Sequence, residues 1–181
     1  MASDFTTSCQ EILKRELRTT CPDFEWDIEK RFKSSGKGWD SVKIDIYGEN
    51  AGFVVCIEFE MQRRNPQFNA VKLFQLLEGS RDVHPFAGTK ILIIHIFSPF
   101  YEVNPFFKQK RGCEVIMPGK FESIDVTYRT FRWNLDGFPE VRKACQVLPD
   151  SKNDFPPSAQ LDEAISALAK DLGRIIGEWA S

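Results

Sequence analysis

The spacing of apolar residues changes several times along the chain, and each change marks a predicted element. Near the start, Phe5, Cys9, Ile12, Leu13 and Leu17 recur every three to four residues, the period that lines one face of an α-helix. The pattern predicts a helix over 3–17, capped by Ser3 or Asp4 and ended by Cys21-Pro22. Glu16 falls inside its apolar stripe. Over 24–32 the period shortens to two. Phe24, Trp26, Ile28 and Lys30 alternate with Glu25, Asp27 and Glu29, as in a half-exposed strand. The SSGKG segment at 34–38 reads as a loop.

Two strands are expected at 41–47 and 53–61. The five residues GENAG between them imply an antiparallel hairpin. A second helix is expected over 66–79, begun by Pro66 and stopped by Gly79. The run KILIIHIF at 90–97 is almost continuously apolar and suits the centre of a sheet. Beyond Ser98 come an aromatic loop (99–110), a strand-rich stretch (120–133) and a polar connector (150–157). Leu161, Ile165, Leu168, Leu172, Ile175, Ile176 and Trp179 then mark an amphipathic helix over 159–180. This order predicts an α/β fold with a central mixed sheet.

Length and composition narrow the class without naming a function. A chain of 181 residues suits one domain, spanning 1–181. With 42% hydrophobic and 28% charged residues it can bury a core without staples and is not a disordered polymer. A net charge of −2, from 24 Lys+Arg and 26 Asp+Glu, weakens a nucleic-acid partner without excluding one, because basic residues can gather on one face. Cys9, Cys21, Cys56, Cys113 and Cys145 lack CxxC spacing and are expected to be free thiols in a reducing cytosol. Only His84 and His95 are present, which argues against a His-rich metal site; His84 reads as a loop residue and His95 as a satisfied histidine within a sheet. No signal peptide or apolar run long enough for a bilayer is visible, so a cytoplasmic protein with no membrane partner is expected. P-loop, GxGxxG and EF-hand patterns are absent.

The hairpin carries the candidate chemistry. Strict alternation sets Lys43, Asp45 and Tyr47 on one face and Val42, Ile44 and Ile46 on the other. On the next strand Cys56, Glu58, Glu60 and Gln62 oppose Val55, Ile57, Phe59 and Met61. Should the two polar faces coincide, Asp45, Glu58 and Glu60 converge at the open end of the hairpin. Three close carboxylates repel one another unless a cation or protons intervene. Mg2+ or Mn2+ is the natural partner, held by a few carboxylate oxygens with water and a substrate phosphate. Such an ion polarises a phosphoryl oxygen and supplies a hydroxide nucleophile. The Phe59 carbonyl is a further candidate ligand, and Glu16 an outer ligand or orienting group. The plain alternative is that E-x-E is the solvated face of an antiparallel sheet.

The segment KIDIYGENAGFVVCIEFEMQ resembles the PD-(D/E)xK nuclease superfamily. The resemblance covers about residues 3–97 and implies a restriction endonuclease-like three-layer sandwich, a central mixed sheet flanked by helices. It also implies the element order helix, three strands, helix, strand. Asp45 stands at the family's second-strand acid, and Glu58-Phe59-Glu60 at its carboxylate, any residue, lysine. By that resemblance Asp45 and Glu58 bind metal, and Glu60 ligates metal or orients the attacking water. Two positions depart from the pattern: Ile44 precedes Asp45 where proline is usual, and Glu60 replaces the lysine. Some restriction enzymes of this fold use Glu there, and Lys43 or Lys72 are candidates to supply the missing cation.

Gln62, Arg63 and Arg64 follow the acidic strand and suit contacts to substrate phosphate, as do Lys43 and Lys72; each also reads as an ordinary surface residue. Lys33, Lys37, Lys108, Lys110 and Arg111 either grip a DNA backbone or are simply solvated. Phe97, Phe100, Tyr101, Phe106 and Phe107 either stack bases or pack in a core or dimer interface. The expected function is a Mg2+-dependent DNA endonuclease, possible as a homodimer by analogy with its fold. The alternatives are a non-catalytic nucleic-acid- or protein-binding module on the same fold, and an unrelated α/β domain with a solvated acidic face.

Overall fold

The periodicities resolve into a mixed sheet flanked by helices in a computed structural model, which describes residues 4–33, 41–61, 71–73, 86, 88–103, 125–147 and 154–181. Helix α1 (Asp4–Thr20) precedes strands β1 (Glu25–Lys33), β2 (Ser41–Asn50), β3 (Phe53–Glu60) and β4 (Lys90–Phe97). A short helical turn (Phe100–Val103), strand β5 (Asp125–Arg132), helix α2 (Pro139–Gln146) and helix α3 (Ser158–Ala180) follow. Of the helix expected over 66–79, residues 71–73 are described and are helical; the rest lies outside the described residues.

The five strands lie in the order β1-β2-β3-β4-β5. The first three form an antiparallel meander, while β3–β4 and β4–β5 pair in parallel. Parallel neighbours need crossover connections, which 61–89 and 98–124 supply by their position in the chain. The central strands β3 and β4 are buried on both faces. That is why KILIIHIF reads as a continuous apolar run rather than an alternation.

Each face of the sheet has its own core. Leu92, Ile94 and Ile96 of β4 join Val55, Ile57 and Phe59 of β3 beneath the stripe of α1 (Phe5, Cys9, Leu13, Leu17) and that of α3 (Leu161, Ile165, Leu168, Leu172, Ile176). Ile91, Ile93 and Phe97 join Val54, Cys56, Tyr47, Leu73, Phe86 and Tyr101 on the opposite face. Four of the cysteines, Cys9, Cys21, Cys56 and Cys145, are free and buried in these cores; Cys113 lies outside the described residues. Burial pushes the Cys145 thiol up to about 12 and holds Cys9 and Cys56 above the ordinary thiol range, so none of the three is poised as a nucleophile. Among the described residues, no helix is long and apolar enough to cross a membrane.

Some boundaries differ from the sequence expectation for local reasons. The hairpin is tighter than GENAG suggests. The ladder continues to Asn50↔Phe53, leaving Ala51-Gly52 as the turn, with Gly52 at φ 100. Gly48 is therefore not a turn residue. It pairs with Trp26 across β1 and β2, and a Cβ there would lie 2.6 Å from the indole. Helix α2 has no counterpart in the sequence expectation. Its signal was one turn of spacing, Val141, Ala144 and Cys145 behind Pro139, too short to stand out.

Because Trp26 is buried and its indole N–H is bound to the Cys21 carbonyl, the ring has little room to retreat. Gly48→Ala is expected to destabilise the protein by about 1–3 kcal/mol, measured by urea denaturation. An unchanged midpoint would show that the ring yields freely.

Candidate functional site

The site begins where β2 and β3 part. Their ladder runs from Asn50↔Phe53 to Ile46↔Ile57 and stops. One further step would set Asp45 opposite Glu58. There the Phe59 backbone N–H donates instead to Asp45 Oδ2, at 2.9 Å. A carboxylate has replaced a strand carbonyl as the acceptor, so the N–H stays satisfied while the strands separate.

The neighbouring ladder is disturbed at the same level. β1 and β2 keep one register throughout, yet the Glu29–Asp45 pair is missing between Ile28↔Ile46 and Lys30↔Ile44. Glu29 has φ 55, the left-handed region, which costs a residue with a Cβ roughly 1–2 kcal/mol. Across this point the apolar residues of β2 change sides. Val42 and Ile44 pack in the core with Tyr47 and Cys56, and Ile46 packs in the opposite core. The expected sharing of one face by Val42, Ile44 and Ile46, with Lys43, Asp45 and Tyr47 on the other, is thereby corrected. Regular alternation fails where the β1–β2 ladder is interrupted at Glu29–Asp45, a local irregularity on either side of which apolar residues serve opposite cores.

On β3 the alternation holds. Phe59 enters the helix-covered core, while Glu58 and Glu60 lie on the Cys56 side and are each only 2% exposed. They are not a solvated acidic face, which overturns that reading of the E-x-E pattern. A carboxylate this deep requires compensating partners. Glu60 Oε1 is 3.0 Å from His95 Nε2, and His95 Nδ1 is 2.9 Å from the Tyr128 hydroxyl. The Ser98 N–H donates to the Glu60 carbonyl at 3.0 Å, and Ser98 Oγ donates to the Met61 carbonyl at 2.5 Å. Glu58 faces His95 in the parallel register of β3 and β4. After desolvation, the Glu58 charge is the second cause that raises the Cys56 thiol. His95 is a satisfied sheet histidine, as its run suggested. That its partner is Glu60 was not readable, because pairing of β3 with β4 is a tertiary fact.

The other candidates separate. Glu16 accepts from Ser166 Oγ at 2.9 Å and from Arg15 Nε at 3.1 Å. It therefore serves the contact between α1 and α3 rather than the outer-ligand role its stripe suggested. Lys43 Nζ is 2.6 Å from Glu29 Oε1, beside the interruption in the β1–β2 ladder. Lys72 is half-buried within the helical residues 71–73. Gln62, Arg63 and Arg64 lie outside the described residues. Phe97 and Tyr101 pack edge to face, 5.3 Å apart and buried, so they serve the core rather than an open stacking surface. Among the described residues, no group of three or more His, Cys, Asp or Glu side chains is arranged to hold a metal ion. The structure thus brings Asp45 to the backbone between Glu58 and Glu60, and turns Glu60 toward His95.

No protein-family model and no curated protein matches the chain. Four solved chains match. One is the crystallised protein of unknown function AF1548, at 15% identity, covering 94% of this chain and 98% of that one with a TM-score of 0.35. So faint a likeness leaves function to the residues themselves.

Asp45→Ala removes the acceptor of a backbone N–H at a buried position. A loss of about 1–3 kcal/mol is expected, together with faster hydrogen exchange at the Phe59 amide. Asp45→Asn, which keeps an acceptor oxygen, is expected to lose less. Equal Phe59 protection in Asp45→Ala and the parent would exclude the bond.

Proposed function

We propose that the chain is a divalent-metal-dependent DNA nuclease of the PD-(D/E)xK, restriction endonuclease-like type, cutting within the strand. One observation carries the reading. The Asp45 carboxylate caps the Phe59 N–H where β2 leaves β3, so an acidic residue stands beside buried Glu58 at a break in the sheet. The element order adds support: a helix, an antiparallel three-stranded meander, then a strand parallel to the third.

The donor set suits Mg2+ or Mn2+. Mg2+ commonly takes one or two protein carboxylates and fills its remaining positions with water and substrate phosphate. Asp45 and Glu58 would be that pair, Asp45 being bonded to the amide that follows Glu58. Once bound, the ion supplies Lewis acidity toward a phosphoryl oxygen and acidifies a water. The chain's own residues supply direction. Asp45 is fixed by a backbone N–H, and Glu60 is fixed by His95 and suited to orienting the attacking water. Contacts to substrate phosphate are assigned to Gln62, Arg63, Arg64 and Lys72. Lys43 is engaged with Glu29 and is a weaker candidate. A two-fold dimer acting on both strands is the assembly that fits a duplex.

A second reading has its own support. Glu60 occupies the lysine position and is bound to a buried histidine, as suits a non-catalytic DNA- or protein-binding module on the same fold. Incubation with supercoiled plasmid separates the two. Nicking or linearisation is expected with Mg2+ or Mn2+ and none with EDTA. Asp45→Asn and Glu58→Gln are each expected to slow it by about a hundredfold or more. Undiminished cutting in both variants would remove the site assignment. Retardation of DNA on a gel without cutting under either metal would favour the binding module.

A further inference from the structure

Glu60, His95 and Tyr128 form one hydrogen-bonded line across three strands. The parallel registers place Glu58 beside His95 and His95 beside Thr130. Glu60 lies two residues after Glu58, and Tyr128 two residues before Thr130, so the line crosses the strands diagonally on one face. His95 is fully buried. Its ring is braced by Phe97 at 4.7 Å and by the edge of Tyr128 at 6.2 Å, and Phe97 is itself braced by Tyr101. The imidazole therefore has a fixed plane and a polar partner at each nitrogen.

The proton positions follow from the partners. An ionised carboxylate only accepts, so Nε2 must carry hydrogen to bond with Glu60 Oε1 at 3.0 Å. A bare Nε2 would oppose two acceptors unless Glu60 itself were protonated. Tyr128 fits either form that satisfies this rule: its hydroxyl donates to Nδ1 of a neutral ring, or accepts from Nδ1 of a charged one. Stability alone does not account for the network. Replacing buried polar groups by well-packed apolar ones is often neutral or stabilising, and the surrounding face is built from Ile91, Ile93, Val54 and Phe97.

We infer that His95 is a positioning residue, held by Tyr128 with hydrogen on Nε2, that aims the Glu60 carboxylate at the attacking water beside Asp45 and Glu58. This rests on the nuclease reading. His95 touches neither metal nor substrate; it acts through Glu60, as an outer partner orients a ligand.

The whole 181-residue chain tests it in two ways. Long-range 1H–15N spectra of the His95 ring are expected to show a protonated Nε2, with the tautomer populations mixing in Tyr128→Phe. A ring protonated at Nδ1 alone overturns the inference. In plasmid cleavage, His95→Leu fills the volume without a donor and is expected to lower kcat by about 10–100-fold, with KM within about twofold. His95→Gln can return an N–H toward Glu60 and is expected to recover most of the loss. Equal rates for His95→Leu and the parent overturn the inference while leaving the nuclease reading intact, as does a His95→Gln no better than His95→Leu. Should His95→Leu fail to fold, Tyr128→Phe carries the test through a smaller fall in kcat and the ring spectrum. A parent chain that cuts no DNA fells the nuclease reading and the catalytic role together, and the ring spectrum then decides only the tautomer.

Discussion

Where β2 leaves β3, the carboxylate of Asp45 stands in for a backbone carbonyl and takes the Phe59 N–H. Without an acceptor the parting of the two strands would strand a donor in the interior, a deficit of about 1–3 kcal/mol. With it, the ladder ends cleanly after Ile46↔Ile57. Across Asp45, Ile44 serves one core and Ile46 the other. At the same point Asp45 is bonded to the amide that follows Glu58. Packing and candidate chemistry thus share one hydrogen bond.

The second constraint is the depth of the acids. Glu58 and Glu60 belong to a strand that is buried on both faces. Most buried strands are apolar throughout, because desolvating a carboxylate costs several kcal/mol before any partner repays it. Here Glu60 is met by His95 and then Tyr128, at the outer strand β5. A carboxylate held this way has one direction, whereas one on a solvated face would sample many. Fixed direction is what a group that must present itself to water or metal needs, and on the proposed nuclease reading it would suit Glu60 to orienting water.

Much of this was legible in the chain. The alternation of β3 correctly separated Glu58 and Glu60 from Phe59, and the continuous apolar run of β4 correctly marked a strand covered on both sides. The stripes of α1 and α3 are buried nearly as written. Alternation misled at β2, since its rule assumes an uninterrupted ladder and the interruption at Glu29–Asp45 involves β1, a partner that β2's own residues do not specify. Glu16 misled for a related reason. A polar residue within an apolar stripe faces inward, but its stripe does not say whether a sheet or another helix waits there; Ser166 on α3 answers that.

The sequence by itself determined the types of the longer elements, the central sheet, the free thiols of the described cysteines and the two acids on one side of β3, because these follow from local periodicity and residue chemistry, while the short helix α2 escaped it. Tertiary structure decided what those acids meet. Only the ordering of β3, β4 and β5 sets Glu60 against His95 and His95 against Tyr128. Only the parting of β2 from β3 brings Asp45 to the amide between the two glutamates. Periodicity reports which way a side chain points, and contacts between residues far apart in the chain depend on register and strand order, which it does not encode.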